Sequence, residues 1–159
     1  IKLAFKNKNS LGKDGNLRQR PGNCLRLRFG TINVVTLRNK LEEVVEMMKR
    51  RRINIMGISE TKWKGSGSRE VGEGYRIWWS GGEIGRRNGV VMDKKMTSRV
   101  MKVDVVSERI IKVTVRMEGE IMDIIQVYAP QTGCTDDEKR EFEEDLERHV
   151  KEERTIIIG

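Results

Sequence analysis

Residues 28–58 switch between two hydrophobic periods, and that switch limits the chain to few folds. An extended run over 28–37 carries Phe29, Ile32, Val34 and Val35. The segment 40–52 then spaces Leu41, Val44, Val45 and Met48 at i, i+3, i+4 and i+7, the stripe of an amphipathic helix. Glu42, Glu43 and Glu46 sit early in it, and Lys49-Arg50-Arg51-Arg52 sit late, where cations suit the helix dipole. The same basic run has the composition of a nuclear import signal. Residues 53–58 form a second apolar, β-branched run. Strand, helix and strand within about 30 residues predict a βαβ-like unit.

The remainder reads mostly as strands. Residues 64–73 form a Gly/Ser loop with Gly65, Gly67 and Gly72, and 75–80 a short aromatic strand. Gly81, Gly82 and Gly85 open a flexible loop carrying Arg86-Arg87-Asn88, and extended runs follow over 89–92 and 100–106. Residues 109–117 alternate, with Ile111, Val113, Val115 and Met117 on one face. After the Glu118-Gly119-Glu120 turn, 121–128 returns as a hairpin partner. Pro130 and Gly133 break the chain, and Thr135 with Glu138 makes a capping box. The helix that follows puts Phe142, Leu146 and Val150 on one stripe, and 155–159 begins another apolar strand. This mixture predicts one α/β (α+β) domain over 28–159, preceded by a basic, poorly ordered arm over 1–27 that Gly12, Gly15, Pro21 and Gly22 interrupt.

Charge narrows the partners. The net charge is +8, yet residues 1–30 hold eight Lys/Arg against one acid, Asp14. Residues 31–134 hold 19 Lys/Arg against 13 acids, and 135–159 hold five against ten. A basic face opposite an acidic helix fits a polyanion such as DNA, and it also fits a solvated surface. No run reaches the ~18 apolar residues of a membrane span, and the N-terminus lacks the apolar stretch of a signal peptide. Cys24 and Cys134 have no framework or metal-ligand spacing, so an intracellular location, nuclear or cytoplasmic, is expected.

Few residues suit chemistry. Asn33 lies in the first strand, Glu60 ends the next, and Tyr128 ends a later one before Ala129-Pro130. Ligands of open α/β sheets gather at the carboxyl ends of strands. Convergence there would suit phosphodiester hydrolysis, with Glu60 on a divalent metal, Asn33 orienting and the Tyr128 hydroxyl facing a phosphate oxygen. Each residue alone is equally at home as a bulge, a solvated acid or a packing ring. His149, the only histidine, belongs to the surface of the acidic helix. No Ser-His-Asp set, zinc cluster or P-loop occurs. Met47, Met48, Met92, Met96, Met101, Met117 and Met122 read as core filler. Trp78 also reads as core, while Trp63, between Lys62 and Lys64, suits base stacking or loop packing.

Three segments, Gly30-Thr31-Ile32-Asn33-Val34-Val35-Thr36-Leu37, Gly57-Ile58-Ser59-Glu60-Thr61-Lys62-Trp63-Lys64-Gly65 and Val127-Tyr128-Ala129-Pro130-Gln131-Thr132-Gly133, occur in that order. Together they resemble the endonuclease/exonuclease/phosphatase superfamily, more narrowly the endonuclease domain of non-LTR retrotransposons and the craniofacial development protein 2-like group derived from it. The resemblance implies two β-sheets packed as a sandwich with flanking helices. It also implies a Mg²⁺- or Mn²⁺-dependent endonuclease acting on DNA. By motif, Asn33 takes the place of an active-site Asn, Glu60 of the metal-binding Glu and Tyr128 of the Tyr on the scissile phosphate. Lys62 matches a basic position near that site, and Arg86, Arg87 and Asn88 are expected on the nucleic acid. Ile32 stands where a Trp often precedes the Asn.

In the family, a strand like 155–159 leads into Gly-Asp-Phe-Asn and later an Asp-His pair. The expectation is therefore a sandwich cut short, with little or no turnover. The alternatives are a non-catalytic nucleic-acid or chromatin-binding protein that uses the basic arm, and a phosphatase of the same superfamily.

Overall fold

The structure, a computed structural model, describes residues 2–3, 26–81, 87–151 and 154–159. Among them run β1 (Lys2–Leu3), β2 (Leu27–Asn33), α1 (Leu41–Arg51), β3 (Ile55–Ser59), β4 (Gly67–Glu70), β5 (Arg76–Gly81) and β6 (Arg87–Met92). Then come α2 (Lys94–Thr97), β7 (Val100–Ser107), β8 (Ile110–Met117), β9 (Glu120–Val127), α3 (Asp136–His149) and β10 (Thr155–Ile158). The strands form two sheets, in the orders β1-β2-β3-β6-β5-β4 and β10-β9-β8-β7. The arm expected over 1–27 lies outside the described residues, apart from Lys2–Leu3, which pairs with Arg28 and Leu27, and residues 26–27.

The strand–helix–strand reading is realised directly. β2 and β3 are parallel neighbours, from Phe29↔Ile55 to Asn33↔Ser59, with α1 as the crossover. The helix stops at Arg52, a left-handed C-cap, behind its late cations. A second unit of the same kind uses α3 to join β9 to the parallel strand β10, and α3 starts on the expected Thr135–Glu138 capping box. β8 and β9 make the expected hairpin, Ile110↔Val127 to Met117↔Glu120.

Alternation assigns the side chains of β3 to two cores. Ile55 faces the second sheet with Val90, Met92, Ile111, Val113, Val115 and Ile124. Met56 and Ile58 face α1, against Val44, Val45 and Met48. A side chain as fully buried as Met48 contributes about 1.5–3 kcal/mol by leaving water. Gly57 points between the sheets, where an added Cβ would stand 1.8 Å from Gln126 Oε1. The glycine thus makes room for a buried glutamine that crosses from β9 to β3.

Three expectations change. The loop over 64–73 contains β4, an edge strand paired to β5 from Gly67↔Trp79 to Glu70↔Arg76. All four of its residues are exposed, so no apolar alternation marks it. The short helix α2 was not foreseen; the Asp93 carboxylate caps it by accepting from Met96 N–H at 2.8 Å. Met101 is 47% exposed on β7 and fills no core.

Candidate active site

Because β2 and β3 are parallel and in register at Asn33↔Ser59, their carboxyl ends deliver Asn33 and Glu60 to one rim. Tyr128 arrives at the same rim from the other sheet, one residue after β9. Asn33 Nδ2 donates to Glu60 Oε1 at 2.7 Å, and Tyr128 Oη donates to the same oxygen at 3.0 Å. Asn33 Oδ1 accepts from Val35 N–H at 3.0 Å, which fixes the amide with its NH₂ toward Glu60. Gln131 Nε2 donates to Tyr128 Oη at 3.0 Å, which leaves the hydroxyl proton for Glu60. The three candidates that the sequence proposed therefore form one hydrogen-bonded cluster.

That cluster holds Glu60 ionised. Its pKa is pushed below the ordinary carboxylate value, first by the Asn33 hydrogen bond, then by that of Tyr128; partial burial opposes them, and the Lys62 charge assists. Both donors use Oε1. No described residue donates to Oε2.

The backbone here is strained. Val35, Glu60 and Lys62 have φ of 60°, 61° and 56°, in the left-handed region. Such non-glycine residues cost about 1–3 kcal/mol each and persist only where surrounding bonds hold them. The bonds are present: Val34 N–H to Ser59 O at 3.2 Å, Leu37 N–H to Thr61 O at 3.1 Å, and Thr61 N–H to Arg87 O at 3.1 Å. The left-handed turn at Glu60 is what lifts its carboxylate out of the strand toward Asn33 and Tyr128.

Lys62 is exposed beside Glu60, where its charge acts on the carboxylate. Arg87 is placed differently from expectation. It is buried, and Nη1 donates to the Lys62 carbonyl at 2.6 Å, so it braces the site loop from within. Asn88 is fully buried, with Nδ2 on the Arg109 carbonyl. Its side chain lies between the sheets and presents nothing to a nucleic acid at the surface. Arg86 lies outside the described residues. His149 stays on α3, its Nδ1 2.7 Å from the Asp145 carbonyl.

Three supporting residues escaped the sequence reading. Gln131 orients Tyr128, as above. Arg109 is buried, donates to the Tyr128 carbonyl at 3.2 Å and to Cys134 Sγ at 3.4 Å, and lies 5.9 Å from the Tyr128 ring centre. It thereby anchors the segment after β9. Gln126 Nε2 donates to the Val127 carbonyl at 3.0 Å and reaches Ser59 Oγ at 3.4 Å, linking the two strand ends that carry Tyr128 and Glu60. Of these, only Gln131 left a trace in the sequence: a polar residue across a proline turn from Tyr128.

The described residues contain no cluster of three or more His, Cys, Asp or Glu that would hold a metal alone. Mg²⁺ does not need one, because it commonly takes one or two carboxylates and completes its shell with water and substrate phosphates. An ionised Glu60 with a spare Oε2 fits that mode.

No family model matches the chain. It is 35% identical over 122 residues to craniofacial development protein 2 of Bos taurus, a stretch covering 75% of this chain and 20% of that protein. The chain thus spans about a fifth of the curated relative's length. Among solved structures it is similar to an AP endonuclease from Archaeoglobus fulgidus, with a TM-score of 0.59, 23% identity and coverage of 82% of this chain and 55% of that one. It is also similar to the endonuclease domain of TRAS1, a telomere-specific non-LTR retrotransposon, with a TM-score of 0.56, 17% identity and coverage of 82% and 57%. The chain is thus similar to craniofacial development protein 2 over 122 residues and shares the two-sheet fold of these endonuclease structures.

Proposed function

We propose that this site belongs to a Mg²⁺- or Mn²⁺-dependent phosphodiesterase acting on DNA. One observation carries the reading: Asn33 and Tyr128, from different sheets, converge on a single oxygen of Glu60 and leave the other oxygen open. Glu60 Oε2 would hold the cation, whose chemistry when bound is Lewis-acid polarisation of a phosphodiester oxygen. Asn33 keeps the carboxylate charged and aimed. The Tyr128 hydroxyl, oriented by Gln131, is poised to donate its hydrogen bond to a phosphate oxygen in place of Glu60. Lys62 adds positive charge where a phosphate would approach. The names of the neighbouring structures, an AP endonuclease and a retrotransposon endonuclease domain, support DNA as the substrate.

A second part of the proposal concerns rate. The hydrogen bonds to Glu60 come from an amide and a phenol, and the described residues hold no cluster of three or more His, Cys, Asp or Glu. The described hydrogen-bonded cluster of Asn33, Glu60, Tyr128 and Gln131 thus includes no second acid that would serve as a base for water. We expect this 159-residue chain to bind metal and DNA with little or no turnover. Manganese titration followed by electron paramagnetic resonance, run beside a supercoiled-plasmid nicking assay, tests both parts. Glu60→Gln should abolish tight Mn²⁺ binding, and Asn33→Ala should weaken it about 10- to 100-fold. Indifference of Mn²⁺ binding to Glu60→Gln would sink the metal site. Clear nicking that Glu60→Ala removes would sink the low-turnover part.

The exposed cations near the site also favour a non-catalytic nucleic-acid-binding role. DNA binding without metal binding or cleavage is the outcome that would select it.

A further inference from the structure

Beside Glu60 lies a groove of about 890 Å³ that Asn33, Glu60 and Tyr128 do not line. Its walls include Arg38, Lys62, Lys64 and Arg69, and Trp63 and Trp79 face it too; among the described residues no acid lines it. The four cations are exposed, and none belongs to an ion pair of the described residues. Like charges around a concave surface repel one another and attract a polyanion.

The aromatic part of the groove is built, not incidental. Trp63 meets Trp79 edge-on, with centroids 5.0 Å apart at 88°, and the Arg69 guanidinium lies 4.9 Å from the Trp63 ring centre. The backbone carrying Trp63 rests on β5 so closely that a Cβ on Gly81 would stand 2.5 Å from the Trp63 carbonyl oxygen. Trp63 is thus fixed before any ligand arrives, yet only half-buried. Trp63 and Trp79 pack against the α1-side core yet stay partly open, whereas Trp78 is enclosed at 9% exposure.

We infer that this groove is a subsite for an unpaired nucleotide strand, with a base against Trp63 and phosphates along Arg38, Lys62 and Lys64. The volume lies in the range of pockets that enclose small ligands, so one or two nucleotides fit. A duplex spends its base faces on its own stack and offers a protein phosphates and edges. A tryptophan set among cations gains stacking only from a base outside the helix. Arg69 adds a planar cation to the same stack. The inference rests on reading the site as one for nucleic-acid phosphodiesters, and it adds the strand form.

Fluorescence anisotropy with the whole chain tests it, in EDTA so that metal chemistry plays no part. The probes are a labelled deoxy oligomer, the matching ribo oligomer and a blunt duplex of equal length. The single strand should bind more tightly than the duplex. Trp63→Ala should weaken single-strand binding about 5- to 150-fold, with Trp63→Phe restoring most of it and the duplex little changed. Lys64→Glu, at an exposed position that leaves folding intact, should flatten the salt dependence by about 0.7 or more for the single strand. The deoxy and ribo arms show which sugar the groove takes. Equal or tighter duplex binding by the parent chain overturns the inference, as does a Trp63→Ala loss shared equally by both forms. A failed metal titration with these results intact would remove the hydrolase reading and leave the subsite standing.

Discussion

The two sheets are covered very differently. The sheet containing β2 and β3 is packed on both faces, by the second sheet on one side and α1 on the other, and every residue of β3 and β6 is buried. The sheet containing β8 and β9 is packed on its inner face, while Met101, Val105 and Ile121 lie 45–47% exposed on its strands. Its crossover helix, α3, buries no residue, whereas α1 buries Leu41, Val44, Val45 and Met48. Both helices bridge parallel strands and both carry an apolar stripe. What differs is the depth of the stripe: α1 presents four apolar residues in two turns, and α3 spreads Phe142 and Leu146 among acids, with Val150 already its extended C-cap. The lesson concerns the site. The carboxylate and its principal partner stand at the end of the sheet that α1 covers deeply, and Tyr128 reaches across from the sheet whose outer face is covered in part, over Ile110 and Ile125.

The comparison breaks most visibly at α1. Met48→Ala should cost about 2–5 kcal/mol in urea unfolding, because it opens a cavity in the doubly covered sheet. Gly57→Ala should cost about 1–3 kcal/mol, since the new methyl group displaces the Gln126 amide. If packing is the cause, Gln126→Ala in the same chain should recover part of that loss, and the double-mutant cycle should be non-additive. On the second sheet, Thr135→Ala removes the side-chain half of the α3 capping box and should cost about 0.5–2 kcal/mol. Leu146→Ala, from a half-buried position, should cost less than about 1 kcal/mol. A Leu146 variant as damaging as the Met48 variant would erase the distinction between the helices.

The smallest effect bears on the site itself. Glu60 has a folded-state pKa below its unfolded value, so the stability it contributes is present above about pH 4.5 and is lost as pH falls through the lower folded pKa. Carbon-13 NMR titration of the Glu60 carboxyl should therefore find it charged throughout the neutral and mildly acidic range. Asn33→Ala should raise its pKa more than Tyr128→Phe does, as Asn33 is the larger cause. A larger rise from Tyr128→Phe would mean that the second sheet contributes the firmer partner.

Hydrophobic period and turn chemistry are local properties, and what depends on them was legible in the chain: the β2–α1–β3 unit, the β8–β9 hairpin, the Thr135 capping box and the order of the three motifs. Those motifs sufficed to propose Asn33, Glu60 and Tyr128 as one site. Tertiary structure decided the rest, because the deciding partners are distant in sequence. β4 is held by backbone pairing to β5 with every side chain exposed, so it leaves no pattern to read. Arg87 and Asn88 are polar in the sequence and look like surface, yet their burial depends on carbonyls of Lys62 and Arg109 that only the fold brings near. Gly57 has meaning only opposite Gln126. A sequence states that a residue is polar or apolar; the packing of two sheets determines whether its partner is water, a carbonyl or the carboxylate of Glu60.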